Sequence, residues 1–259
     1  MRMTIILILT LLFAGCGGPS GSSVAGKKHV VAAFYPLAFA AQQLGGSRVR
    51  VENVTPPGAE PHDLEVSPAI VQDVQSADLV LLLLDTPGLR RFSNNDPHVW
   101  LDPHRFELIV ERIGRALHTG ARTIRLVRRL RALDREYRAG LAHCKRHEIA
   151  TSHEAFAYLA QRYGLRQVAI TGLSPEAEPA PRDLQRVVDL VRKTHATTIF
   201  YETLVSPRIA ETVARETGAR TAVLNPIEGL KPFEAKRGED YFSLMRSNLA
   251  QLRTALGCR

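Results

Sequence analysis

Asp78-Leu79-Val80-Leu81-Leu82-Leu83-Leu84-Asp85 is the stretch on which the fold turns. Six aliphatic residues in succession, closed at each end by aspartate, do not alternate, so neither face of the segment is expected to meet water. A run of this length fits a strand buried on both faces, as in a parallel sheet. Upstream, the apolar run at 29–34 reads as another buried strand. Pro36 opens a helix over 37–44 that stops at Gly45-Gly46, and 48–54 reads as a second strand. Ser67-Pro68 pairs an N-cap residue with proline at the first helical position and starts a short helix to Ser76. Such β-α-β alternation argues for parallel strands with helices on both faces.

Downstream, residues 85–95 (DTPGLRRFSNN) are too few for another full helix and strand. Asp96-Pro97-His98-Val99-Trp100-Leu101-Asp102-Pro103 follows, then a helix over 104–117. Residues 122–144 are an Arg- and Leu-rich amphipathic stretch with no turn signal before Ala139-Gly140, so one long helix is expected to join two lobes. A second series then has strands at 148–152, 167–171, 197–201 and 220–224. Its helices fall at 155–163, at 182–194, after Ser206-Pro207 as far as Gly218, and at 240–256, with loops at 172–181 and 225–236. The expected fold class is α/β: two (β/α) lobes with parallel sheets, joined by a long linking helix, with the first lobe shortened. The lobes are expected at 29–118 and 147–259, with the linking helix at 119–146.

A chain of 259 residues that is 45% hydrophobic can bury a substantial core. The formal charge is +8, carried by arginines on helical stretches such as 122–131. No aromatic interleaving or nucleic-acid motif accompanies them, so they read as a solvated helix face and no nucleic-acid partner is expected. Met1-Arg2-Met3 supplies a short positive region, and 4–13 (TIILILTLLF) is an apolar segment of signal-peptide length, too short to span a bilayer comfortably. Ala14-Gly15-Cys16 resembles a lipobox, with Phe13 where an aliphatic residue is usual. Residues 1–15 are therefore expected to be a signal peptide and Cys16 the lipidated N-terminus. Residues 16–28 are then the lipid-bearing, Gly/Ser-rich tether. Such a protein would sit on the outer face of the cytoplasmic membrane or in the periplasm. Outside the cytoplasm two thiols more often pair than not, so a bridge between Cys144 and Cys258 is expected to pin the C-terminus.

Four positions carry the chemistry: His62, His98, His153 and Glu228. Each lies in a separate loop motif directly after an expected strand or before an expected helix. Ligands gather outside the carboxyl ends of strands in open α/β sheets, and a site between two lobes would draw on both. Three imidazoles and one carboxylate are a donor set that Zn²⁺ favours over the oxygen-rich sets of Mg²⁺ or Mn²⁺. Against this, a lone loop histidine is more often a surface or hydrogen-bonded residue. His29, His118, His143, His147 and His195 have no ligand context, and His104 begins a helix. Glu60, Asp63, Glu154 and Glu202 are candidates to orient imidazoles through the far ring nitrogen. Trp100 reads as packing beside the site.

These motifs carry a resemblance. Pro56-Pro57-Gly58-Ala59-Glu60-Pro61-His62-Asp63, the Asp96–Pro103 motif, Ser152-His153-Glu154-Ala155-Phe156, Gly172-Leu173-Ser174-Pro175-Glu176-Ala177-Glu178-Pro179 and Leu224-Asn225-Pro226-Ile227-Glu228 are similar to those of the zinc-type metal solute-binding lipoproteins of bacterial ABC importers. The resemblance runs in order from about Val30 to the C-terminus. It implies a metal held between two lobes by His62, His98, His153 and Glu228. It implies zinc rather than manganese, because the manganese branch generally has a carboxylate where His153 stands. It further implies delivery to an ABC permease, a monomer, and no enzymatic activity. Family members usually carry a longer stretch where this chain has 85–95. Two rival readings share the scaffold: an exported zinc hydrolase with three histidine ligands and Glu228 as general base, and a surface adhesin. The hydrolase lacks support from a His-Glu-x-x-His helix or a nucleophile elbow.

Overall fold

The computed structural model describes residues 26–83, 96–175 and 178–259. Strand β1 (Lys28–Ala32) lies between β2 (Val49–Asn53) and β3 (Leu79–Leu81), all parallel. Val30, Val31 and Ala32 are buried in succession, as a central strand covered on both faces requires. The aliphatic run at 79–84 obeys that rule only in part. Its pairing ends at Leu81, opposite Ala32, because β1 itself ends there and Pro36 commits the chain to helix α1 (Tyr35–Gly45). Leu82 is consequently 60% exposed. Leu84 and the short segment 85–95 lie outside the described residues. Helix α2 (Pro68–Ser76) begins at Ser67, whose hydroxyl accepts a hydrogen bond from the Ile70 N–H at 3.3 Å.

Helix α3 (Pro103–Ala116) starts in the same way, the Asp102 carboxylate accepting from the His104 N–H at 2.9 Å. The long helix is α4 (Gly120–Leu141). Leu126, Val127, Leu130, Leu133, Tyr137 and Leu141 recur at helical spacing and form its buried face, while most of its arginines stay in water. It packs against α1 and α3 of the first lobe and, on the second, against α9 (Tyr241–Leu256). The Tyr137 hydroxyl donates to the Met245 carbonyl at 2.6 Å, which ties α4 to α9.

The second sheet has four parallel strands in the order β5 (Arg166–Ala169), β4 (Glu148–Thr151), β6 (Thr198–Tyr201) and β7 (Arg220–Val223). Its crossovers are α5 (Ala157–Arg162), α6 (Pro181–Thr194) and α7 (Arg208–Thr217). The two sheets share one arrangement, but the first stops one strand earlier among the described residues, in keeping with a shortened first lobe. A five-residue helix, α8 (Pro232–Lys236), occupies part of the stretch expected to be loop. Pro232 begins it and the Glu234 carboxylate accepts from the Lys231 N–H at 2.7 Å. One turn is too short to leave a periodic signal in sequence.

A single apolar core runs through both lobes, from Val30 and Leu44 through Leu101, Phe106 and Leu130 to Tyr158, Phe242 and Leu252. A smaller cluster around Val187, Ile199 and Val213 lies under α6 and α7. Polar bonds also stitch the lobes together. Trp100 Nε1–H donates to the Pro226 carbonyl at 2.7 Å, and the Tyr241 hydroxyl to the Trp100 carbonyl at 2.6 Å. Cys144 and Cys258 face each other in disulfide geometry. Among the described residues no helix is long and apolar enough to cross a membrane.

Candidate metal centre

His62, His153 and Glu228 each follow the carboxyl end of a strand, His98 leads into a 3-10 turn, and each is held by neighbours close in sequence. His62 follows β2 on the 3-10 turn Pro61–Asp63, its N–H donating to Glu60 Oε1 at 3.3 Å. His98 immediately precedes the 3-10 turn Val99–Leu101. Asp96 Oδ1 accepts from the His98 backbone N–H at 2.9 Å and contacts its Nδ1 at 2.6 Å. The Asp-Pro-His motif is thus a device by which the aspartate grips the ring two residues on. His153 follows β4, and its carbonyl accepts from Thr151 Oγ1 at 2.8 Å and Gln167 Nε2 at 2.9 Å. Its Nδ1 is bonded to Glu202 Oε1, which comes from the end of β6 and also accepts from Ser152 Oγ at 2.6 Å. With Nδ1 engaged on both rings, Nε2 of His98 and of His153 is turned into the centre.

Glu228 arrives on a strained turn. Ile227 has φ of 60°, the left-handed region that a β-branched residue seldom adopts. Asn225 Oδ1 holds it by accepting from the Ile227 N–H at 2.7 Å. Asn225 in turn is clamped by Asn248 of α9, whose Oδ1 accepts from the Asn225 N–H at 2.8 Å and whose Nδ2 donates to the Asn225 carbonyl at 2.6 Å. Strain of this kind persists only where the surroundings over-determine the backbone.

The four donor atoms lie within 4.8 Å of one another. Glu228 Oε1 is 3.0 Å from His62 Nε2 and 2.8 Å from His98 Nε2, and the Nε2 atoms of His98 and His153 are 3.5 Å apart. A tetrahedron built on bonds of about 2.05 Å has edges of roughly 3.4 Å, so these groups need shift only slightly to accept a small cation. His98 and His153 are fully buried and Glu228 nearly so, whereas the His62 side chain is 25% exposed and forms the open edge. Glu228 Oε2 is buried without a hydrogen-bond partner, a donor in want of a cation. Burial opposes the charge on Glu228, yet the hydrogen bonds from His62 and His98 outweigh it and hold the carboxyl well below its usual range. Burial likewise opposes the His98 imidazolium, but Asp96 and Glu228 raise it to about 9. The bond to Glu228 raises His62 as well.

The sequence expectations divide here. Glu202 contacts His153 directly. Glu60 supports the His62 backbone and stands with Glu202 and Glu228 in a group of three carboxylates within 4.8 Å. Burial and then the charge of Glu228 push Glu60 up to about 7. Asp63 is exposed and contributes a backbone N–H to the Glu60 carbonyl. Glu154 donates its N–H to the Gly172 carbonyl. His104 lies on α3, 57% exposed, beside Glu107. Trp100 packs with its ring centroid 5.2 Å from that of His98. Two residues escaped the sequence reading. Asp96 was visible as part of its motif, but its spacing to His98 could have announced the grip. Asn248 left no signal, because only the packing of α9 brings it to Asn225. Cys16 lies outside the described residues.

The zinc-binding lipoprotein AdcA of Streptococcus pneumoniae serotype 4 is 34% identical over 278 aligned residues, covering 88% of this chain and 56% of that protein. The chain thus spans about half the length of such curated relatives. The high-affinity zinc uptake system protein ZnuA of Bacillus subtilis is 29% identical over 306 residues, covering 97% of this chain and 96% of that protein. The Zn(II)-bound ZnuA-like domain of Streptococcus pneumoniae AdcA superposes with a TM-score of 0.74 at 34% identity, covering 89% of this chain and 99% of that one. Laminin-binding protein Lmb of Streptococcus agalactiae, described as bifunctional with adhesin and metal transporting activity, gives 0.78 at 27% identity, covering 89% and 99%. An alignment of 306 positions requires gaps in a chain of 259. The family match, to zinc-uptake complex component A, periplasmic, runs over residues 30–86 and 84–255 and breaks where the segment after β3 is short. With nearly the whole described fold inside that match, the chain belongs to the family of zinc-uptake complex component A, periplasmic.

Proposed function

We propose that this chain is an extracytoplasmic zinc-binding protein that captures Zn²⁺ between its lobes and delivers it to an ABC-type membrane importer. The observation that carries the reading is the convergence of His62, His98, His153 and Glu228, from four loops of two lobes, on one small volume. Three nitrogens and a carboxylate suit zinc in preference to manganese. Glu228 Oε1 already touches two of the three histidines, which supports counting the carboxylate as the fourth ligand of a closed site. A hydrolase would keep the fourth position for water and set its base further back. The relatives are likewise named for zinc binding and uptake, not for a reaction. Ligands come from rigid strand ends, and His62 offers the route in and out.

The organisation we propose around this centre is a signal peptide at 1–15, lipidated Cys16, a tether to 28, lobes at 29–118 and 147–259, and the linking helix at 119–146. A permease in the membrane is the partner, and the protein works as a monomer. Metal analysis of the purified chain tests the reading. One tightly held zinc is expected, lost or weakened in His153→Ala and in Glu228→Ala. A wild-type chain that holds no metal after zinc loading would sink it.

A further inference from the structure

Parallel strands put all their amino ends at one pole, and in the first lobe that pole lies opposite the metal centre. β1 and β2 start there side by side, Lys28 being in register with Val49. The same pole holds the end of α3 and the beginning of α4. A cavity of about 190 Å³ is lined together by Gly26, Lys28, Arg48, Val49, Leu117 and Thr119, so the chain enters the fold directly beside the first turn of α4. Exposed cations are carried by the segments that meet here: Lys27, Lys28 and Arg48 on and beside the strands, Arg115 at the end of α3, and, further along the outward face of α4, Arg125 and Arg128. None of the six takes part in an ion pair among the described residues. Of the other charges nearby, Arg50 meets Glu52 at 3.7 Å and Arg122 is turned inward to the Leu44 carbonyl at 3.2 Å. Asp78, just before β3, accepts the His29 N–H at 2.7 Å and is the one exposed carboxylate facing this group among the described residues. Ile124, 55% exposed, stands one helical turn before Arg128 on the same outer face of α4.

A group of exposed cations outside any ion pair, with one exposed aliphatic side chain among those on α4, is complementary to a surface of anionic headgroups over a hydrocarbon layer. We propose that this pole docks on the anionic lipid of the membrane to which the chain is tethered. The docked chain holds its metal centre at the end away from the lipid, open to the medium, and must tilt off the surface to meet a permease. The inference rests on the proposed lipid anchor at Cys16, which brings the pole within a short tether of the bilayer. It is independent of zinc chemistry.

The test uses the full chain, carrying its lipid, in vesicles of phosphatidylcholine alone or mixed with phosphatidylglycerol. An environment-sensitive dye is placed at exposed Ser47→Cys on this pole or at Glu216→Cys on the second lobe, and a lipid-borne quencher reads proximity. Flotation with both vesicle types reports the anchor separately, so loss of flotation condemns the anchor and leaves zinc binding to be judged by metal analysis. Quenching at position 47 is expected in anionic vesicles only, relieved by salt, with little at position 216. Each cation near such a surface changes binding by about fivefold, so Arg115→Gln/Arg125→Gln/Arg128→Gln lowers the ratio of docked to undocked chains on the order of a hundredfold. Zinc content and flotation of that variant stay unchanged. Floating chains with equal quenching in neutral vesicles, stronger quenching at position 216, or indifference to the triple change would overturn the proposal.

Discussion

His98 is held between Asp96 and Glu228, and both bonds favour its imidazolium. Its folded value of about 9 lies above the ordinary 6.5, so the stabilisation it gives the metal-free chain is complete below about 6.5 and disappears as pH rises through about 9. Glu60, raised to about 7, acts in the same direction between its ordinary 4.5 and 7. Glu228, depressed, contributes above 4.5 and loses its contribution as pH falls further. Thermal melts of the metal-free chain should therefore show stability declining from about pH 4.5, first through Glu60 and then through His98, as far as about pH 9. Zinc must displace the His98 proton and the share of His62 that is protonated, so calorimetry in buffers of different ionisation enthalpy should find at least about one proton released per zinc near neutrality, fewer above pH 9. Zinc uptake without proton release at neutral pH would contradict this account of His98. Asp96→Asn removes the charge that orients the ring, and competition with a chromophoric chelator should read a zinc affinity about 10–100-fold lower.

At the scale of elements, the turn that presents Glu228 depends on α9. Asn248→Leu leaves the buried N–H and carbonyl of Asn225 unpaired, which should cost about 2–4 kcal/mol in urea unfolding. The same variant should bind zinc more weakly, since Ile227 is then free to leave its strained conformation. Unchanged affinity with lowered stability would show that the clamp serves the fold alone. The end of α9 is joined to the end of α4 through Cys144 and Cys258, 114 residues apart. Reductant or Cys258→Ser should lower stability by about 2–5 kcal/mol. Identical urea curves with and without reductant would remove it.

Over the whole molecule, one core crosses from lobe to lobe and polar bonds close the seam around the site. Unfolding should accordingly be a single cooperative transition seen alike by circular dichroism and by Trp100 fluorescence. Free zinc at about 1,000 times its dissociation constant should add about 4 kcal/mol, raising the melting temperature. Two separate transitions, with only one moved by zinc, would mean that the lobes fold independently and the core does not couple them.

The sequence by itself determined the alternation of strands and helices, the long α4 and the four loops that carry the candidate ligands, because hydrophobic period and proline or glycine punctuation act within a few residues. It also carried the Asp-Pro-His grip, though only the structure gives Asp96 its task. Periodicity overran the end of β3, since where a strand stops depends on its partner: β1 turns away at Ala32. Convergence of the four donors was decided by tertiary structure alone. His62 and Glu228 are 166 residues apart, and no local rule spans that distance. The clamp of Asn248 and the bond from Glu202 to His153 belong to the same class. They exist because two lobes share one core, and that packing brings together side chains the chain order keeps apart.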